Sequence, residues 1–171
     1  MNLRAPQTVI VVAKTEGDET TVTTSSTREI LVIQPEQGKA LGAVRCKVST
    51  EDTGGAYTIL ELVLQPGQGA PPHVHALEDE IFHVVEGVCE VGQPGKTRSA
   101  GAGTIAVLPR GMLHLFRNTG EQPCRVMVTA IPGGLDRYFE ELSQITAGDP
   151  EAAQKVAEIN ARYQIQFQPS E

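Results

Sequence analysis

Four side chains in the middle of the chain have the types and spacing of a metal site. His73 and His75 lie two residues apart, Glu80 follows after a short acidic turn, and His114 comes much later in the sequence. Alternate side chains of a β-strand share a face, so both imidazoles of His73-Val74-His75 can point into one cavity. Three neutral imidazoles and one carboxylate suit Fe, Mn, Ni, Co or Zn as divalent ions. We therefore predict a divalent transition metal as the cofactor, with coordination positions left for water, substrate or O₂.

Several neighbouring residues are candidates for a pocket beside that metal. Phe82 shares a strand face with Glu80, and Phe116 shares one with His114, so each either lines an apolar pocket or fills the core. Glu61 lies within an apolar strand and needs a partner. It is either a base close to the site or an outward-facing residue, and Met127 is a further candidate for the pocket.

Two polar residues close to the predicted ligands are expected to lie elsewhere. His83 has the opposite parity to Glu80 on their common strand, so we expect it to point away from the metal. Glu78 belongs to the acidic segment between His75 and Glu80, and we expect it in a solvated turn.

The glycines and prolines around the four predicted ligands complete two motifs. The first extends from Gly67 to Gly87 and reads GQGAPPHVHALEDEIFHVVEG, and the second extends from Gly103 to Asn118 and reads GTIAVLPRGMLHLFRN. Glycine tolerates positive φ, so we expect these turns to use that freedom. Both segments match the two signature motifs of the cupin superfamily. The chain resembles the small single-domain cupins of the quercetinase-like type.

This resemblance implies a fold, a ligand set and an activity. The fold is an all-β cupin double-stranded β-helix, or jelly-roll barrel, and the metal ligands are His73, His75, Glu80 and His114. Resemblance to quercetinase-type dioxygenases implies O₂ chemistry on a small aromatic or enolic substrate, with Glu80 as the catalytic residue that takes the substrate proton. Two alternatives stay open: a metal-dependent isomerase or polyketide-type cyclase without O₂, and a non-catalytic cupin that binds a small molecule.

The elements that position these residues follow from the pattern of apolar residues and turns. Short strand signals, each bounded by Gly, Pro or Asn, recur from the run Ile30–Ile33 to Val126–Ile131, which favours an all-β sandwich or barrel. After Pro132 the apolar period becomes helical, and Asp149 with Pro150 predicts the start of a second helix. We expect an N-terminal arm at 1–27 with a possible added strand at Thr8–Ala13, a barrel at 28–132 and a helical segment at 133–171.

Composition limits the class of partner. The chain has 171 residues, 40% of them hydrophobic, and a net charge of -7, which argues against a nucleic-acid partner. No apolar run reaches the ~18 residues that span a bilayer, so we expect no membrane association. Three cysteines without a CxxC pair favour reduced thiols and a cytoplasmic location. We expect a small-molecule substrate and, because open barrels expose sheet edges, a homodimer.

Overall fold

The computed structural model describes residues 9–11, 23–25 and 30–168, which fall into two compact units, 1–32 and 33–171. In the first unit, strands β1 (Val9–Val11) and β2 (Thr23–Ser25) pair with each other in antiparallel fashion. The rest of the predicted arm strand at Thr8–Ala13, and the remainder of the arm, lie outside the described residues. The boundaries of the arm, barrel and helical segment therefore stay predictions.

The predicted strand at Ile30–Ile33 is wrong, because these residues have no strand conformation. The side chains of Ile30, Leu31 and Val32 are exposed. A run of apolar residues becomes a strand only where a neighbouring strand accepts its backbone hydrogen bonds, and residues 30–33 take part in no strand pairing of the described sheets.

The second unit contains eleven strands and two helices among its described residues. The strands are β3 (Lys39–Leu41), β4 (Val44–Val48), β5 (Thr58–Leu64), β6 (Gly69–His75), β7 (Asp79–Glu86), β8 (Val88–Gln93), β9 (Lys96–Gly101), β10 (Ile105–Leu108), β11 (His114–Asn118), β12 (Cys124–Ile131) and β13 (Ile165–Phe167). The helices are α1 (Leu135–Ser143) and α2 (Ala152–Arg162).

These strands form two antiparallel sheets. One sheet has the order β10-β7-β12-β5-β4-β3, and the other has the order β13-β6-β11-β8-β9. Consecutive strands along the chain alternate between the sheets at several points, as in a double-stranded β-helix. The predicted fold class, an all-β jelly-roll barrel followed by two helices, is confirmed. Neither helix of the described residues is long and apolar enough to cross a membrane.

Alternating burial along the strands builds the core. In β12, Val126, Val128 and Ala130 are buried, while Met127 and Thr129, which alternate with them, are more exposed. Such residues form two apolar clusters. The barrel cluster comes from strands alone: Leu64, Phe82, Val84, Cys89, Val91, Ala100, Leu108, Phe116, Cys124, Val126 and Val128. The C-terminal cluster joins β3, β4, β5 and β12 to both helices and β13: Leu41, Val44, Cys46, Leu60, Ala130, Leu135, Tyr138, Ile159 and Ile165.

The four motif glycines have the expected positive φ, with values of 79° at Gly67, 81° at Gly87, 86° at Gly103 and 74° at Gly111. Gly87 also lies in close contact with the backbone before β12. A Cβ at this position would come within 2.7 Å of the carbonyl oxygen of Pro123. The turn between β7 and β8 therefore requires glycine for both its conformation and its lack of a side chain.

The first turn of α1 is held against the barrel by a buried acid. Asp136 accepts hydrogen bonds from the backbone N–H of Thr50, at 3.0 Å, and from the hydroxyls of Thr50 and Thr58. Helix α2 begins at Ala152, slightly later than predicted, and Asp149 accepts a hydrogen bond from the N–H of Glu151 at 2.9 Å. Both predicted helices are present.

Strand β13 was not predicted. It follows α2 and pairs with β6, so that Ile165 lies opposite His75 and Phe167 lies opposite His73. The C-terminal part of the chain thus returns to the strand that carries two of the predicted ligands.

Candidate metal centre

Strands from both sheets bring the four predicted ligands together. His73 and His75 lie on β6, and His114 on the neighbouring β11 lies directly opposite His73. Glu80 lies on β7 in the other sheet. All four side chains are buried, and one potential ligand atom from each lies within 4.8 Å of the others. The four residues therefore form one cluster that could hold a metal ion.

Backbone carbonyls fix the orientation of two of the imidazoles. Nδ1 of His73 lies 2.8 Å from the carbonyl oxygen of Pro71, and Nδ1 of His114 lies 2.9 Å from that of Met112. A carbonyl oxygen only accepts hydrogen bonds, so each Nδ1 carries a proton, and in the neutral ring the free lone pair is then on Nε2. This is the tautomer in which Nε2 can bind a metal.

The third imidazole has a carboxylate beside it. Oε2 of Glu78 lies 3.5 Å from Nδ1 of His75, and Glu78 is only 3% exposed. The expectation that Glu78 lies in a solvated turn is therefore wrong. Its parity with Glu80 explains the position, since residues two apart on an extended segment share a face. The next residue, Asp79, does lie at the surface, where it pairs with Arg110 at 2.8 Å.

Charges within the cluster set its protonation. Burial, followed by the neighbouring His114, lowers the pKa of His73 to about 4, so this imidazole is neutral near pH 7. Burial alone would raise the pKa of Glu80, but the adjacent His114 and His75 outweigh it, and the net shift is downward. A neutral imidazole and an ionised carboxylate are the protonation states that bind divalent metals.

The buried polar atoms of the cluster support a metal site. Oε2 of Glu80 lies 3.2 Å from Nε2 of His114 and 3.7 Å from Nε2 of His75. Neither the Glu80 oxygen nor the His114 nitrogen has a hydrogen-bond partner. Buried polar groups are rarely left unpaired, and a divalent ion between these atoms would satisfy both. Three nitrogen donors and one oxygen donor also suit Fe, Mn, Ni, Co or Zn.

A cavity of about 490 Å³ opens onto the cluster. His73, His75 and Glu80 form part of its wall, and most of the remaining wall is apolar or aromatic. The ring of Phe167 stacks on that of His73, with centroids 5.3 Å apart and an interplanar angle of 21°. The aromatic residues of the wall are Phe116, Tyr138, Phe139 and Phe167.

Of the four predicted pocket residues, the structure places Phe116 in the cavity wall and the other three elsewhere. Phe82 is buried in the barrel cluster with its ring 4.9 Å from that of Phe116. Glu61 and Met127 are opposite each other on β5 and β12, on strand positions that alternate with the buried ones. Glu61 lies near three cations, Arg45, Lys47 and Arg125. His83 is exposed on the same sheet surface, opposite Met127.

Sequence reasoning missed part of the cavity wall. Leu135, Tyr138 and Phe139 reach it from α1, and Ile165 and Phe167 reach it from β13. The helical period predicted the apolar face of α1 but not what that face covers. For β13 the only signal was the alternation Ile165-Gln166-Phe167, which is too short to predict a strand.

Residues 60–130 match the family model of the cupin domain. The chain is 42% identical over 67 residues to Germin-like protein 1-1 of Oryza sativa subsp. japonica, an alignment that covers 36% of this chain and 31% of the rice protein. It is 28% identical over 105 residues to the polyketide synthase CurC of Streptomyces cyaneus, covering 61% of this chain and 68% of that protein. The chain thus spans less than a third of the rice relative.

A solved structure shares the fold. KdgF from a Halomonas species superimposes with a TM-score of 0.52 at 18% identity, over 64% of this chain and 99% of that one. At this identity the likeness concerns the fold alone. The family match concerns residues 60–130, the segment that contains all four candidate ligands.

Proposed function

We propose that this chain, which carries a cupin domain over residues 60–130, is a metal-dependent enzyme that acts on a small aromatic or enolic substrate. The observation that carries the proposal is a buried cluster of three imidazoles and one carboxylate in the wall of a mainly apolar cavity. Fold alone would not support an activity, because the same fold carries many functions.

The proposed ligands are His73, His75, Glu80 and His114. When bound, a divalent metal supplies a Lewis acid and, if it is redox-active, electron transfer to O₂. The protein's contribution is to fix the orientation of the His73 and His114 rings through backbone carbonyls and to keep the ligands buried.

Glu80 is the proposed catalytic base. Its carboxylate lines the cavity. An ionised carboxylate at this position can accept the proton of an enol or phenol hydroxyl that enters the cavity. The aromatic walls, including Phe116 and Phe167, would hold a planar substrate and exclude water around that proton transfer.

The first candidate reaction is dioxygenation of the bound enolate, as in the quercetinase-like cupins that the motifs resemble. The second is an isomerisation or cyclisation without O₂, which the similarity to the polyketide synthase CurC favours. Both candidates use the same proton transfer to Glu80. A cupin that binds its ligand without turnover is the remaining alternative.

The metal site is tested by elemental analysis of the purified protein and of two histidine variants. We expect about one metal ion per chain in the unmodified protein and loss of that ion in His75→Ala, because a ligand is removed. The matched control is His83→Ala, since His83 is exposed on the outward face of β7. Full metal content in His75→Ala would refute the site.

Oxygen dependence separates the candidate reactions. An oxygen-electrode screen of flavonols and other phenols should detect O₂ uptake if the first candidate is right. A cognate substrate that turns over equally fast under anaerobic conditions would refute the oxygenase and favour the cyclase or isomerase. Binding of such a compound without any turnover would favour the third alternative, a cupin that binds its ligand without catalysis.

A homodimer and a cytoplasmic location complete the proposal. Ile105 and Val107 are exposed on β10, one of the two edge strands of the six-stranded sheet, and such edges are commonly covered by a partner. The three cysteines are free thiols, which suits a reducing compartment. A monomeric mass in solution at micromolar concentration would contradict the dimer.

A further inference from the structure

The three histidines of the cluster are not oriented in the same way. His73 and His114 each direct Nδ1 at a backbone carbonyl oxygen, at 2.8 and 2.9 Å. Nδ1 of His75 has no hydrogen-bond partner and faces the carboxylate of Glu78 at 3.5 Å. A side chain therefore takes the place that the backbone fills for the other two rings.

Glu78 is buried behind the cluster and is not part of the cavity wall. It is 3% exposed, and its Oε2 atom, like Nδ1 of His75, has no hydrogen-bond partner. Its other oxygen, Oε1, lies beside Gly134, the residue before α1. A Cβ placed on Gly134 would be 3.5 Å from this oxygen. Two unpaired buried atoms of complementary type that face one another are each other's natural partner, and about half an ångström of movement would bring them to hydrogen-bond distance.

Burying a second carboxylate is costly unless a positive charge lies close to it. Among the described residues, the Glu78 carboxylate forms no ion pair with a Lys or Arg side chain, and its partner is His75. Glu80 neutralises only one of the two charges of a divalent ion. The carboxylate of Glu78 lies on the far side of the His75 ring from the site and supplies the second negative charge. The two charges of the metal ion and the two carboxylates would then sum to zero.

We propose that Glu78 is a positioning residue, which orients His75 through Nδ1 and balances the second charge of the bound metal. The proposal rests on the metal site proposed above. Unlike the four proposed ligands, Glu78 does not touch the metal or the substrate. Carboxylates that hydrogen-bond a metal-binding imidazole typically contribute about 10- to 100-fold to metal affinity.

The test is the dissociation constant for Zn²⁺, measured with metal-free protein in competition with a chelator. Glu78→Gln keeps the shape and one hydrogen-bond acceptor but removes the charge, and we expect binding to weaken by about 10- to 100-fold. The control, Glu86→Gln, removes an equal charge from a side chain on β7 that is 70% exposed, and we expect a change of less than about twofold. The thermal midpoint of the metal-free protein is recorded for each variant.

The outcomes separate this inference from the proposed function. If the unmodified protein binds no Zn²⁺, the metal site itself fails. If it binds Zn²⁺ and Glu78→Gln binds equally well, the role of Glu78 is refuted and the metal site stands. Weakened binding with an unchanged metal-free midpoint supports the proposal, because a merely structural residue would lower the midpoint and leave affinity unchanged.

A second pair of variants keeps the test decisive if Glu78→Gln does not fold. Glu78→Asp and Glu78→Asn have the same size and differ in charge. We expect Glu78→Asp to bind Zn²⁺ at least about tenfold more tightly than Glu78→Asn. Equal affinities in this pair would refute the role of the carboxylate.

Discussion

The two sides of the cavity are built from different kinds of residue. The strand side carries the cluster and includes His73, His75 and Glu80. The C-terminal side consists of residues from α1 and β13, and every one of them is apolar or aromatic: Leu135, Tyr138, Phe139, Ile165 and Phe167. In the proposed function, the strand side carries out the reaction and the C-terminal side selects and shields the substrate. The contrast suggests that reactivity and substrate choice can be changed separately.

The two sides also differ in how firmly they are held. The strand side belongs to sheets whose buried residues form the barrel cluster. On the C-terminal side, β13 buries only Ile165, and α1 buries Leu135, Asp136 and Tyr138. We therefore expect substitutions in the barrel cluster to lower the free energy of unfolding more than substitutions on the C-terminal side.

The largest effect is expected from Phe82→Ala in the barrel cluster. Phe82 is 1% exposed and packs against Phe116, so its truncation leaves a cavity that the sheets cannot easily close. We expect the free energy of unfolding to fall by about 3–5 kcal/mol, measured by urea denaturation. His83→Ala, at an exposed side chain on the same strand, serves as the control and should change it by less than about 0.5 kcal/mol. An equal fall in the free energy of unfolding in the two variants would contradict the assignment of Phe82 to the core of the barrel.

A smaller and different effect is expected from Phe167→Ala on the C-terminal side. Phe167 is 42% exposed and stacks on His73, so its loss should remove an aromatic wall without opening the core. We expect a planar phenolic ligand to bind about 2- to 12-fold more weakly, from an aromatic contact of about 0.5–1.5 kcal/mol. Metal content should stay unchanged. Loss of the metal in Phe167→Ala would mean that the C-terminal side helps to hold the cluster and is not a separate region.

The strand side was largely predictable from the sequence. The spacing of the ligands and the parity of β-strands are sufficient to place His73, His75 and Glu80 on inward faces. Glu78 was misassigned because acidic residues between strands are usually solvated. Glu78 is two residues from Glu80, so strand parity would have placed it on the same inward face. The same rule correctly predicted that His83, three residues from Glu80, points outward.

The C-terminal side was only partly predictable. Helical period identified α1, but the pairing of β13 with β6 joins residues about ninety positions apart, and no local pattern records such a contact. Asp136 was missed for a similar reason. It lies beside the apolar residue Leu135, and its partners Thr50 and Thr58 precede it by 86 and 78 residues.

The smallest effect is expected from a surface contact that links α1 to the barrel. Lys39 on β3 pairs with Glu140 on α1, and both side chains are largely exposed. Exposed ion pairs contribute about 0–1 kcal/mol, so Glu140→Gln should lower the free energy of unfolding by no more than that. A double-mutant cycle with Lys39→Met isolates the contribution of the pair. If the buried contacts of Leu135, Asp136 and Tyr138 hold α1 in place, ligand binding should also be unchanged in both variants. A loss well above 1 kcal/mol, or weaker ligand binding, would mean that surface charges help to keep the C-terminal side closed over the cavity.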